Sequence, residues 1–179
     1  MSWFEASARV WRRLRAAPLL LVLAGCGFHP LYAPSGARSG DPDLAAIEVR
    51  PILDRQGQIL SLALREELNP SGADVAKRWD LTTTMTVVRA DLGIQRNATA
   101  TTSEINVTVA FRLSDRKTGK PLYSSSSRAV GDFDLVEDAY ATQVAADGAR
   151  NRAISQVADE MVLRLALFVR DQRAKAAAR

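Results

Sequence analysis

The 179-residue chain has one cysteine, Cys26, and one histidine, His29. A single thiol cannot form an intrachain disulfide, whatever the redox state of the compartment. One Cys and one His fall short of a zinc site, which takes three or four protein ligands. A Gly-x-Ser-x-Gly elbow, a phosphate-binding glycine loop and a His-Glu-x-x-His helix are all missing. Ser124–Ser127 offers four hydroxyls, but the only imidazole lies three residues after Cys26, so a Ser-His-Asp arrangement would have to reach back to it. The carboxylate pairs Glu66/Glu67 and Asp159/Glu160 fall on helix faces read as solvated. No apolar run approaches the roughly 20 residues that a bilayer span needs.

What is there begins at the N-terminus. Residues 1–15 carry Arg9, Arg12, Arg13 and Arg15 against Glu5, and Ala16 to Leu23 is apolar apart from Pro18. A basic leader, a short apolar segment and then small residues is the layout of an export signal. It ends in Leu23-Ala24-Gly25-Cys26, which resembles the lipobox of bacterial lipoproteins. The expectation is cleavage after residue 25 and a covalent lipid on the Cys26 sulfur, with acylation of the new amino group. Several acyl chains hold a protein to a membrane where one holds only marginally.

Of 24 basic and 20 acidic residues, the leader holds four and one, so 20 and 19 remain and the net charge falls to +1. The basic character of the precursor is mostly leader, and a nucleic-acid partner loses its electrostatic support.

Residues 26–44 include Ala33-Pro34-Ser35-Gly36 and Ser39-Gly40-Asp41-Pro42, and read as an anchor followed by a flexible tether. Residues 45–169 read as one domain. Ala45-Ala46-Ile47-Glu48-Val49-Arg50 is a short alternating strand ended by Pro51, and Leu60, Leu64 and Leu68 set a helix over Gln58 to Leu68. Trp79–Ile94 is a long strand with Leu81, Met85 and Val87 on one side. Ile105, Val107, Val109, Phe111 and Leu113 alternate strictly with polar residues, which predicts a strand with one dry and one wet face. Gly119 supplies a positive φ for the next turn, and Leu122 to Phe133, weakened by its serines, is expected at a sheet edge.

From about Tyr140 to Val169 the period becomes helical, with Ile154, Val157, Ala158, Met161, Leu165 and Phe168 in one stripe. Residues 170–179, basic and alanine-rich, are expected to be disordered. The order β-α-β-β-β-α predicts an α+β two-layer sandwich, a four-stranded mixed sheet with two helices packed on one face.

Surfaces rather than an active site stand out. Thr82, Thr84, Thr86, Asn106 and Thr108 make the wet face polar and almost uncharged, suited to close packing against a polar partner. Leu163 and Leu167 lie off the apolar stripe, one turn apart, as a second candidate contact. Arg89, Arg96, Lys117 and Lys120, expected in loops at the hairpin ends, are candidates to meet phosphates.

Cys26-Gly27-Phe28-His29-Pro30-Leu31-Tyr32, with the small residues before it, resembles the lipobox region of the LPS-assembly lipoprotein family LptE. The element order resembles that family across most of residues 26–169. The resemblance implies a non-catalytic outer-membrane lipoprotein on the periplasmic side, with no cofactor beyond the covalent lipid on Cys26. It implies that the protein plugs and helps assemble the LptD β-barrel and binds lipopolysaccharide in transit to the surface. Gly27 suits release to the outer membrane, since retained lipoproteins commonly carry Asp there. Arg96 matches a basic loop position linked to lipopolysaccharide, whereas the family's basic residue near the start of the last helix corresponds to Thr142. The rival reading is a periplasm-facing binding lipoprotein, an auxiliary subunit of an ABC-type lipid transport system. A third is a lipoprotein hydrolase using Ser124–Ser127.

Overall fold

The structure, a computed structural model, describes residues 40–94 and 100–178. Its first element is a single helical turn, α1 (Pro42–Ala45), where Asp41 accepts from the Asp43 amide and Pro42 takes the first helical position. The segment read as tether thus includes most of this helical turn, and Ala45 and Ala46, expected in the first strand, are buried ahead of it. Strand β1 (Ile47–Val49) follows. Helix α2 (Arg55–Leu68) starts three residues before the expected Gln58, because Asp54 accepts a 2.5 Å bond from the Gly57 amide and caps it. The helix ends at Asn69-Pro70-Ser71, and Gly72 turns the chain with φ +64°.

The sheet is built from β1, β2 (Trp79–Ile94), β3 (Ala100–Asp115) and β4 (Pro121–Asp134), in that spatial order. β1 runs parallel to β2, pairing Ile47 with Trp79, while β2, β3 and β4 form an antiparallel meander. Gly119, at φ +68°, closes the turn between β3 and β4 as the sequence predicts. The serine-rich β4 is indeed an edge.

The alternation in β3 is borne out: Ile105, Val107, Val109, Phe111 and Leu113 are all buried. They pack under helix α3 (Ala139–Ala177), whose Ile154, Val157, Ala158, Met161 and Leu165 are buried in turn. Each such side chain contributes about 1.5–3 kcal/mol relative to exposure. Phe168 stacks on Tyr123 with ring centroids 5.0 Å apart. Helix and edge strand approach closely at Gly131, where a methyl group would lie 2.4 Å from the Ala149 carbonyl oxygen.

The C-terminal segment departs from expectation. Helix α3 continues through Ala177 rather than ending near Val169. Alanines favour helix, Lys175 pairs with Asp171 one turn back at 2.6 Å, and Arg173 pairs with both Asp41 and Asp43. Disorder expected from composition is thus outweighed by helix propensity and by ion pairs to the start of the domain. Among the described residues no helix is long and apolar enough to cross a membrane.

Candidate functional site

The wet face of the sheet is where the candidate residues converge. Thr82, Thr84 and Thr86 of β2 are exposed, as is Thr108 of β3, and Asn106 is half-buried. Register places Thr86, Thr108 and Arg128 in one row, and Thr82, Arg112 and Ser124 in another. The face is therefore not almost uncharged, as the sequence suggested. Arg112 alternates onto it from β3, and strand pairing brings Arg128 onto it from β4. Towards the β2–β3 hairpin, Glu104 and Asp132 form a further row with Ala90, so the charge changes sign along the strands. Between Thr82, Thr84, Ala110, Arg112, Ser114 and Ser124 lies a shallow concavity of about 490 Å³.

The four loop cations do not gather. Arg96 and Cys26 lie outside the described residues. The loop holding Arg96 joins Ile94 to Ala100, whereas Lys117 and Lys120 lie in the turn after Asp115. These loops are at opposite ends of the 16-residue β3, about 50 Å apart at 3.4 Å per residue. One ligand headgroup cannot meet both.

Arg89 is not in a loop. It sits within β2, on the side that faces the helices, where its guanidinium lies 5.1 Å from the Phe133 ring centroid. Its Nε pairs with Asp91 at 3.0 Å, and Nη2 donates to the buried Ser103 hydroxyl, which itself donates to Asp91 at 2.5 Å. The bonds from Ser103 and then Arg89 hold the Asp91 carboxyl below its ordinary value. The odd-even alternation of β2 puts Arg89 on the helix side of the sheet, where it stays about half exposed with two of its donors in this network.

Two acidic residues read as solvated also have partners. Glu67 of α2 shares a hydrogen bond with Asp159 of α3, and burial together with that neighbour pushes its carboxyl up to about 7. Glu160 accepts from the Ser127 hydroxyl and from Arg164. These bonds, Ser127 first, hold Glu160 below the usual carboxylate range. Local periodicity could not reveal either contact, because both depend on how the helices seat on their neighbours.

Leu163 and Leu167 remain 42% and 55% exposed on α3, as expected for residues off the stripe. Among the described residues no group of His, Cys, Asp and Glu is arranged to hold a metal ion. The face offers hydroxyls, an amide and guanidiniums: groups that bind by hydrogen bond and charge, without a paired nucleophile and base.

The four-stranded mixed sheet with helices on one face and an open polar face on the other is an α+β two-layer sandwich. The chain is a member of the LptE family of lipopolysaccharide assembly, which matches residues 44–165. Solved structures agree in fold. A lipoprotein from Caulobacter crescentus CB15 superposes with TM-score 0.57 at 23% identity, covering 70% of this chain and 92% of its own. Rare lipoprotein B from Shewanella oneidensis gives 0.55 at 15% identity, with 71% and 96% covered. Lipoprotein B from Nitrosomonas europaea gives 0.53 at 13% identity, with 69% and 81% covered. No protein of curated function matches the chain in sequence.

Proposed function

We propose that this protein is an outer-membrane lipoprotein, anchored by a lipid on Cys26, that plugs and helps assemble the LptD β-barrel and binds lipopolysaccharide on its way to the cell surface. It acts without catalysis and without a cofactor. The observation that carries this reading is the family match over residues 44–165. The open hydroxyl face is in keeping with it: Thr82, Thr84, Thr86, Asn106 and Thr108, with Arg112 and Arg128 among them, suit the polar, water-lined lumen of an outer-membrane barrel. Leu163 and Leu167 supply a second, apolar contact to the barrel. Arg96 serves as a loop cation for lipopolysaccharide. Lys117 and Lys120, at the other pole, meet anionic groups separately, and Arg89 acts through the packing of Asp91 and Ser103.

Affinity purification in mild detergent tests the plug. A large barrel protein should co-purify in near-equal amount, and depletion of the chain should lower lipopolysaccharide at the surface. Recovery of inner-membrane transporter subunits alone would instead support an auxiliary role in ABC-type lipid transport. Mass spectrometry of the N-terminal peptide tests the anchor, since acylated Cys26 is heavier than the free residue.

A further inference from the structure

Two arginines on the open face are left over once the domain's own ion pairs are assigned. Arg112 has no hydrogen-bond or carboxylate partner among the described residues. Arg128 donates only to the neutral side-chain amide oxygen of Asn106. Arg50, Arg78, Arg89, Arg116, Arg150, Arg164 and Arg173 pair with carboxylates, and the other described arginines without such a pair, Arg55, Arg65, Arg152 and Arg170, lie on the helices away from this face. Keeping a guanidinium unpaired in the middle of a sheet face gives little to stability. It suits recognition of an external anion, for which the planar fork binds phosphate in two parallel bonds.

Strand register sets the spacing. Arg112 pairs across from Ser124 and Arg128 from Thr108, so the two are four positions apart along the sheet and one strand apart. With about 3.4 Å per residue and 4.8 Å between strands, their Cα atoms are about 14 Å apart. Between and beside them lie Thr84, Ala110, Ser126 and Thr108, which are small or hydroxyl-bearing and on the same face. Hydroxyls both donate and accept, matching the hydroxyls of a sugar ring. The concavity of about 490 Å³ beside Arg112 provides depth for a ring. Glu104 and Asp132 lie further towards the hairpin and repel an anion there, which limits a bound phosphate on that side.

We infer that this face binds a phosphorylated saccharide, with Arg112 and Arg128 taking separate anionic groups and the Thr/Ser surface between them taking the sugar. The inference rests on the lipopolysaccharide reading above and moves the headgroup contact from the loops to the sheet.

Equilibrium binding of purified lipopolysaccharide to the detergent-solubilised full chain tests it. Arg112→Gln and Arg128→Gln should each raise the Kd about tenfold, and the double variant by more. Enzymatically dephosphorylated lipopolysaccharide should bind the parent chain as weakly as the intact ligand binds the double variant. Both arginines are exposed, and circular dichroism should show an unchanged fold. Arg112→Lys should restore part of the affinity by charge alone. A double variant that binds like the parent, or a dephosphorylated ligand that binds as tightly as the intact one, overturns the inference while leaving the family-level reading in place. Failure of the parent chain to bind lipopolysaccharide removes the inference together with the lipopolysaccharide-binding part of the proposed function.

Discussion

Glu67 and Asp159 share a hydrogen bond across the contact between α2 and α3, with the Glu67 carboxyl raised to about 7. In the unfolded chain Glu67 titrates near its ordinary 4.5, so between those values the folded state holds a proton that the unfolded state has released. Stability therefore falls as pH rises from about 4.5 to 7, the window set by the folded and unfolded values. Glu67→Gln keeps a hydrogen-bond donor facing Asp159 at every pH. The variant should match the parent near pH 4.5 and exceed it at pH 8, read as the urea midpoint at each pH.

Gly131 sits where a methyl group would meet the Ala149 carbonyl oxygen at 2.4 Å. Backbone cannot swing aside as a flexible side chain can, so Gly131→Ala must push α3 off the edge strand. Overpacking of this kind costs about 1–3 kcal/mol. Chemical denaturation should show the loss, and Gly119→Ala, which meets no atom but carries a positive φ, should show a smaller one.

Glu160 of α3 sets a carboxylate against β4, an edge strand of 14 residues, by accepting from the Ser127 hydroxyl. Open edges invite pairing with other chains, and proteins cover them with charge. Glu160→Ala should remove that charge from the edge and leave the buried Ser127 hydroxyl without its acceptor. The expected result is concentration-dependent self-association by sedimentation velocity, absent from the parent at the same concentration, with a stability loss of about 1–3 kcal/mol for the unpaired hydroxyl.

Arg173 bonds Asp41 and Asp43, and Arg78 bonds Asp43 as well at 3.0 Å. Exposed pairs are individually weak, so Arg173→Ala should cost about 0.5–1 kcal/mol. Its clearer effect is local. Amide exchange should quicken over residues 40–46 and in α3 beyond residue 169, while the β3 amides stay protected.

The sheet's core was legible because β3 alternates without a break, and a strict period of two has one reading. The last helix was legible where its stripe touches the sheet and illegible beyond Phe168, where its order depends on Asp41 and Asp43, more than 120 positions earlier in the chain. Arg89 was misplaced because a basic residue near a hairpin looks solvated until strand parity turns it towards Phe133. Arg128 entered the candidate face only through its pairing with Thr108, a register that nothing within β4 specifies. Sequence pattern gives which side of a strand is wet. It does not give which residues of a distant strand share that side.

The clasp between Arg173 and the Asp41–Asp43 turn has a mechanical consequence. A pull on the chain ahead of Gly40 would otherwise peel away the three-residue β1, strand end first. With the clasp closed, the same load enters α3 and runs along its axis as shear, against a helix buried over the length of the sheet. The start of β1 is thus braced against tension from the N-terminal side.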